Sequence, residues 1–240
     1  MIIDNKFFLN LHSYLCVISE KYILPNIGKI ELSNIKTKPD NSKATIHDVE
    51  IENLLINYFK KIGFNSFIAE ESFPNNFNDK KNFLTLDPID GTRNFINGVN
   101  KVAIMISYIE DENLIFSIIH NPINNDFYHL FNNNIFKNFN LHSLKQHDQH
   151  IGFLNENGLN KFSNILGSFK VQDKSSSIGY DMIQILEGDR SFLPLHKGKI
   201  WDIFPVLGFL ENINFNSLNK NKIIFDLDLS NESFFYYAKI

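Results

Sequence analysis

Several features that would narrow the chemistry of a chain quickly are scarce in this one. Cys16 is the single cysteine in 240 residues, so no internal disulfide can form and no thiolate metal site can be assembled, which fits a reducing compartment. No stretch approaches the ~20 apolar residues that a membrane span requires. The first ten residues lack the basic start, continuous apolar run and small-residue cleavage site of a secretory signal, and the expectation is a cytoplasmic protein with no membrane partner. A basic surplus is also missing, since 23 Lys and Arg against 27 Asp and Glu leave a net charge of −4. That balance gives no electrostatic reason to expect a nucleic-acid polymer as partner, and any anionic substrate must be bound by a local arrangement of groups. Gly (11) and Pro (7) are sparse while Phe (24) is heavily used, a bias from which no chemistry follows. What the chain does have is 43% apolar residues, enough to fill the core of one large or two small, closely packed domains and to exclude a disordered chain.

The apolar residues alternate between helical and strand spacing. Phe7, Phe8, Leu11, Tyr14, Leu15, Ile18, Tyr22 and Ile23 predict an opening amphipathic helix ending near Pro25 to Gly28. Thr45 and Asp48 form a Ser/Thr-x-x-acid pattern ahead of Val49, Ile51, Leu54, Leu55, Tyr58, Phe59 and Ile62, which predicts a capped second helix ending at Gly63. Residues 67–69 and 83–86 read as short strands that each deliver acids at their C-terminal ends, and 102–109, 114–119 and 126–131 as a meander. Residues 132–173 are polar and weakly periodic, and a boundary near 136 divides the chain into a 1–135 half and a 136–240 half. Beyond it, 181–188 and 203–211 read as helices, and 190–195, 223–229 and 234–238 as strands. The class is mixed α/β.

The segment that carries chemistry is Asp87-Pro-Ile-Asp90-Gly-Thr92, set directly after an apolar strand. If that strand ends at Asp87, Pro88 fixes the turn and Gly91-Thr92 opens the next element. Two carboxylates and a set of backbone N–H groups then meet at one point. Hard divalent cations such as Mg²⁺ take oxygen ligands and commonly share them with a substrate phosphate, and Glu70-Glu71 could close a second side of the cluster. Asp87 and Asp90 could instead be ordinary turn acids, but six specified residues in this position favour the metal site. Asp48 with Thr45 could be only a helix cap, a role compatible with a second one, and Asp202 could be only a helix N-cap. The histidines show no zinc-helix spacing.

The Asp87-to-Thr92 segment resembles the signature of the inositol monophosphatase superfamily of lithium-sensitive, magnesium-dependent phosphatases. Residues 38–48, with Lys38, Asp40, Ser42, Thr45 and Asp48, are similar to the family's segment leading into its second helix. Ala69-Glu70-Glu71-Ser72 is similar to its Gly-Glu-Glu motif, and Trp201-Asp202 to its C-terminal Trp-Asp motif. The resemblance implies an alternating α-β-α-β-α layered fold, in which the N-terminal half carries most metal ligands and the C-terminal half supplies Asp202 and the leaving-group pocket. It implies two or three Mg²⁺ ions held by Glu70, Asp87, the carbonyl of Ile89, Asp90 and Asp202. It also implies an attacking water oriented by Glu70 and Thr92, with Asp48 holding the Thr92 hydroxyl, and phosphate bound by the amides of Gly91 and Thr92. A homodimer is the assembly it implies.

The resemblance thins at the substrate. Counted back from Asp202 without gaps, Leu195 falls where inositol-specific members place a carboxylate, and Ser176, Ser177 and Ile178 fall at substrate-contacting positions with altered side chains. His196, Lys197 and Lys199 could accept a second anionic group or be a solvated turn. The expected activity is hydrolysis of a small phosphate monoester, inositol phosphate first, with a 3'(2'),5'-bisphosphate nucleotidase or a sugar or histidinol phosphate phosphatase as alternatives. A rival of another class is a retired enzyme acting as a binding or regulatory subunit, which magnesium titration would discriminate.

Overall fold

A computed structural model of the protein describes residues 2–143, 151–153, 170–172, 175–196, 199–213, 215–217 and 233–238. Helix α1, Asn5–Ile18, starts at Asp4, whose carboxylate accepts the Phe7 N–H at 2.9 Å. It runs on through a wider helical turn, Ser19–Ile23. Helix α2, Ile46–Lys61, opens with the expected box, in which Thr45 and Asp48 satisfy each other's N–H groups. It stops where Gly63 takes a positive φ of 104°.

Two short strands, β1 (Ile35–Thr37) and β2 (Lys43–Thr45), form an antiparallel pair ahead of α2. The main sheet has seven strands in sequence order: β3 (Phe67–Ala69), β4 (Asn82–Asp90), β5 (Ala103–Glu110), β6 (Asn113–Asn121), β7 (Asp126–Phe131), β8 (Asn134–Lys137) and β9 (Asn140–Leu141). Only β3 and β4 pair in parallel; the rest is antiparallel. Strand alternation splits the residues of β5 between two cores. Ile104, Ile106 and Tyr108, with Val102 just before the strand, pack with α1 and α2 through Phe8, Leu11, Leu15, Leu55 and Phe59, while Ala103, Met105 and Ile109 face the other way. Each of the larger aliphatic and Phe side chains among them, fully buried, contributes about 1.5–3 kcal/mol of transfer free energy.

On that second face lie α4 (Ile178–Leu186) and α5 (Ile200–Asn212), counting the short α3 (Thr92–Ile96) between β4 and β5. Beyond them a five-stranded sheet has the order β11-β10-β12-β14-β13, with β10 (Ile151–Phe153), β11 (Lys170–Gln172), β12 (Phe192–His196), β13 (Phe215–Ser217) and β14 (Ser233–Ala238). Four alternating layers are described, helices, sheet, helices, sheet, and no fifth is described; the strand expected at 223–229 falls outside the described residues.

Three expectations need correction. The strand carrying Asp87 does not end there. It continues to Asp90 across a register shift, with Asp87 opposite Met105 and Asp90 opposite Ala103, because Pro88 has no N–H for the ladder and the extra residue bulges out. Residue 136 is not a boundary, since Phe136 sits inside β8 and pairs with both neighbours; the change of sheet falls between Leu141 and Ile151. Helix α5 begins at Ile200, so Trp201 and Asp202 occupy its first turn rather than preceding it.

Candidate active site

The C-terminal end of β4, the turn after β3 and the N-terminal turns of α3, α4 and α5 meet around an open cleft of about 250 Å³. Glu70, Asp87, Ile89, Asp90, Gly91, Thr92 and Asp202 line it, together with Asp40, Ser42, Lys43, Arg93 and Ser176. The bulge in β4 is what allows Asp87 and Asp90 to reach the cleft together.

Gly91 turns the chain from strand to helix at φ 89°. A Cβ there would stand 2.9 Å from the Lys101 carbonyl oxygen and from Ser177 Cβ, so only glycine lets α3 start against α4. The first-turn amides of α3 have no partner within the helix, which suits them to an anion.

The Thr92 hydroxyl donates to Asp48 Oδ1 at 3.0 Å, with the Ile89 carbonyl at 3.1 Å as its alternative acceptor. Asp48 Oδ2 meanwhile accepts the Thr45 N–H at 2.7 Å and the Thr45 hydroxyl at 2.5 Å. Capping and holding Thr92 therefore coexist in one carboxylate. Burial lifts Asp48 to about 6, while its Thr45 and Thr92 hydrogen bonds pull it back down.

Asp90 caps α4 from outside that helix. Its Oδ2 accepts the Ser177 hydroxyl at 2.5 Å and the Gly179 N–H at 2.6 Å, and its Oδ1 the Ile178 N–H at 3.1 Å. A carboxylate offers about four lone-pair positions, so one stays available toward the cleft. Burial raises Asp90 to about 6 against those three donors. Asp202 accepts the Lys199 N–H at 3.2 Å and is lifted to about 7 by burial and by the charges of Asp90 and Glu70. Asp87 rises well above the usual carboxylate range through burial and the charges of Glu70, Asp90 and Asp202.

Glu70 and Glu71 share one cation, the Lys38 ammonium, at 2.7 Å from each. Burial acts to lower Lys38, and the two acids outweigh it and raise it. Burial drives Glu71 up to about 7 even so.

Among the described residues no three acidic, histidine or cysteine side chains form a finished metal cage. Instead each acid takes the nearest donor. The donor set still fits a hard cation: all oxygen, crowded, buried and lifted by mutual repulsion that a divalent ion would relieve. Glu70, Asp87, Asp90, Asp202 and the Ile89 carbonyl are the groups that would hold it.

The model of the inositol monophosphatase family matches residues 18–206. The chain belongs to the inositol monophosphatase family. It is 33% identical over 101 residues to inositol monophosphatase 1 of Bos taurus, a stretch covering 39% of this chain and 35% of that protein. It is also 28% identical over 94 residues to the 3'(2'),5'-bisphosphate nucleotidase CysQ of Haemophilus influenzae, covering 38% and 35%. The matched stretches span about a third of the length of these curated relatives. Among solved structures, a Thermotoga maritima IMPase superposes with a TM-score of 0.80 at 16% identity, covering 97% of this chain and 92% of that one. An IMPase/NADP phosphatase complexed with Mg²⁺ and phosphate gives 0.78 at 19% identity, covering 97% and 90%. These likenesses show that the chain has the family's fold.

Of the residues expected at the site, Glu70, Asp87, Ile89, Asp90, Gly91, Thr92 and Asp202 line the cleft, and Asp48 stands behind Thr92. Ser177 and Ile178 are not cleft-lining; they act on Asp90, and Ser176, at a positive φ of 66°, takes their place at the surface. Leu195 is a correction. It is 1% exposed, lies opposite Phe234 in the ladder of β12 with β14, and packs in the second core. The gapless count placed an inward-facing strand residue in the pocket. The side chains of His196 and Lys197 lie outside the described residues, while Lys199 is exposed and 3.5 Å from Asp40. Sequence reasoning passed over Lys43 and Arg93 as lining residues; their spacing within the recognised motifs was the available signal.

Proposed function

We propose that this chain is a magnesium-dependent phosphatase of small phosphate monoesters, with an inositol phosphate as lead substrate. One observation carries the reading: four carboxylates, Glu70, Asp87, Asp90 and Asp202, crowd one cleft beside the turn of α3, and among the described residues Lys38 is the only cationic side chain paired with any of them. Bound there, divalent cations supply charge neutralisation and lower the pKa of water. The chain does the rest. The amides of Gly91 and Thr92 orient the phosphate. Thr92, its proton committed to Asp48, turns an oxygen lone pair outward to accept a proton from the attacking water, and Asp48, ionised above pH 6 or so, can receive the Thr92 proton in turn. Glu70 orients the water from the other side.

Lys43 and Arg93 favour a second reading, a bisphosphorylated substrate such as a 3'(2'),5'-bisphosphate nucleotide. Both line the cleft, and neither is in an ion pair among the described residues: Lys43 donates to the Thr37 hydroxyl and Arg93 to the Asn41 carbonyl. A substrate panel with released phosphate as the readout tests both. Inositol phosphate hydrolysis that needs Mg²⁺ and is inhibited by Li⁺ is expected. Preference for the bisphosphate would select the second reading, and Mg²⁺ and phosphate binding without turnover on any ester would select a retired binding subunit. Full turnover in excess chelator would remove the metal-dependent reading altogether.

A further inference from the structure

Glu52 is used by none of the chemistry above. It lies four residues beyond Asp48 on α2, so both side chains leave the same face of the helix. Both are buried, at 2% and 0% exposure. Its Oε2 accepts the Glu71 N–H at 2.7 Å, and its carboxylate also hydrogen-bonds the Ser72 hydroxyl. Among the described residues no other side chain hydrogen-bonds the backbone of residues 70–72, which is otherwise tied only by backbone bonds such as Glu70 N–H to the Leu86 carbonyl at 3.1 Å.

A carboxylate is a costly choice for this place. It is desolvated, stands next to two further acids, and no described Lys, Arg or His pairs with it; an apolar side chain would fill the same space on α2 at less cost. What an apolar side chain could not supply is an acceptor aimed at the turn after β3. With the Glu70 N–H tied to β4 and the Glu71 N–H tied to α2, the peptide between them is fixed, and so is the direction in which Glu70 leaves the backbone.

We propose that Glu52 is a positioning residue. It locks the Glu70-Glu71 turn so that Glu70 points into the cleft and Glu71 turns toward Lys38. In this way α2 holds two parts of the site, Thr92 through Asp48 and Glu70 through Glu52. The proposal rests on the reading above that Glu70 ligates the cation.

The test compares two variants with opposite expectations. Glu52→Gln keeps the length and a carbonyl oxygen for the Glu71 N–H. Glu52→Asp keeps the charge but withdraws the acceptor by one methylene. Mg²⁺ binding is measured by titration calorimetry on the full chain, with thermal melting and kcat alongside. Loss of a partner that orients a ligand typically costs 10–100-fold in metal affinity, so Glu52→Asp is expected to weaken Mg²⁺ binding at least about tenfold while Glu52→Gln stays near wild type. Wild-type Mg²⁺ affinity in Glu52→Asp, even with a lowered melting temperature, would reduce Glu52 to a structural group and overturn the proposal. A loss in Glu52→Gln as large as that in Glu52→Asp would also overturn it, because the variant that keeps the acceptor for the Glu71 N–H would then fail as well. A wild-type protein that binds no Mg²⁺ would instead remove the ligand role of Glu70, a failure distinct from both.

Discussion

At the scale of single residues, the proposed mechanism separates holding a cation from handling a proton and puts Thr92 on the proton side. Thr92→Val keeps the shape of the side chain and removes the hydroxyl that links Asp48 to the cleft. A lost general-base contribution is worth about 10²–10⁴-fold, so kcat should fall by at least about 100-fold while Mg²⁺ binding stays close to wild type; Thr92→Ser should restore most of the turnover. If Mg²⁺ binding fell together with kcat, Thr92 would belong to the cation site instead. The cation site has its own signature in pH. Asp202 is raised to about 7 and Asp90 to about 6, chiefly by burial, so both carry charge at pH 8 and hold protons in growing measure toward pH 6. Protons then compete with Mg²⁺, and the apparent affinity should weaken about tenfold between pH 8 and 6 with proton uptake by the released site. An affinity independent of pH over that range would mean that these acids are not the ligands. The motif residues were legible because their chemistry demands those side chains in that order. Glu52 was not, because an acid in the middle of a helix reads as solvated until its partner from another element is known.

At the scale of elements, the capped helix α2 and the strand-to-helix turn at Gly91 were legible because each is fixed by local chemistry. Strands β8 and β9 were hidden. Their turns are made by Asn132, Asn133 and Asn138 at positive φ, a conformation that Asn tolerates, and in the sequence such residues look like an unstructured polar run. The position of Leu195 was misjudged for a related reason: a count along the chain cannot see that β12 faces the core. How elements press together also predicts where small residues are required. A Cβ at Gly208 on α5 would collide with the Ser117 hydroxyl and Leu114 on β6, and one at Gly179 on α4 would lie 2.6 Å from Met105 Sδ and 3.0 Å from Asp90 Oδ2. Both alanine variants overpack and should lose about 1–3 kcal/mol of stability. Only Gly179→Ala pushes against a carboxylate of the site, so it should also weaken Mg²⁺ binding, whereas Gly208→Ala measured well below its melting temperature should turn over normally. Equal Mg²⁺ affinities for the two variants would show that the seat of α4 on Asp90 does not matter to the cation.

At the scale of the whole molecule, two sets of buried titratable groups oppose each other. The metal-free acid cluster has raised pKa values, so protonation on acidification relieves repulsion in the folded state. Remote from it, between α1 and the main sheet, His120 and His129 are buried and stay neutral: burial lowers His120 to about 3 and His129 to about 4, with His12 adding a smaller push on each. Since their folded pKa values lie below the ordinary 6.5 or so, their contribution is complete above that pH. It is lost as pH falls, because the unfolded chain takes up protons that the native state refuses. With the two sets pulling in opposite directions, the net pH slope of stability says little by itself, and a variant that deletes one member isolates it. His129 is the better choice. Its ring is stacked between Phe8, at 4.4 Å, and Phe136, at 4.8 Å, and its buried Nδ1 has no hydrogen-bond partner among the described residues. A phenyl ring therefore fits the same slot without stranding a polar atom. His129→Phe should be within about 1 kcal/mol of wild type at pH 7.5, since one aromatic replaces another and an unsatisfied nitrogen is lost. Between pH 6 and pH 4.5 wild type should lose about 1.4 kcal/mol per pH unit relative to the variant, so that near pH 5 the variant is the more stable protein by roughly 2 kcal/mol. Urea unfolding in chelator at both pH values gives the comparison with the acid cluster identical in the two proteins. Parallel stability curves for wild type and variant would mean that His129 titrates normally in the fold, and the interior between α1 and the sheet would then have to be open to water.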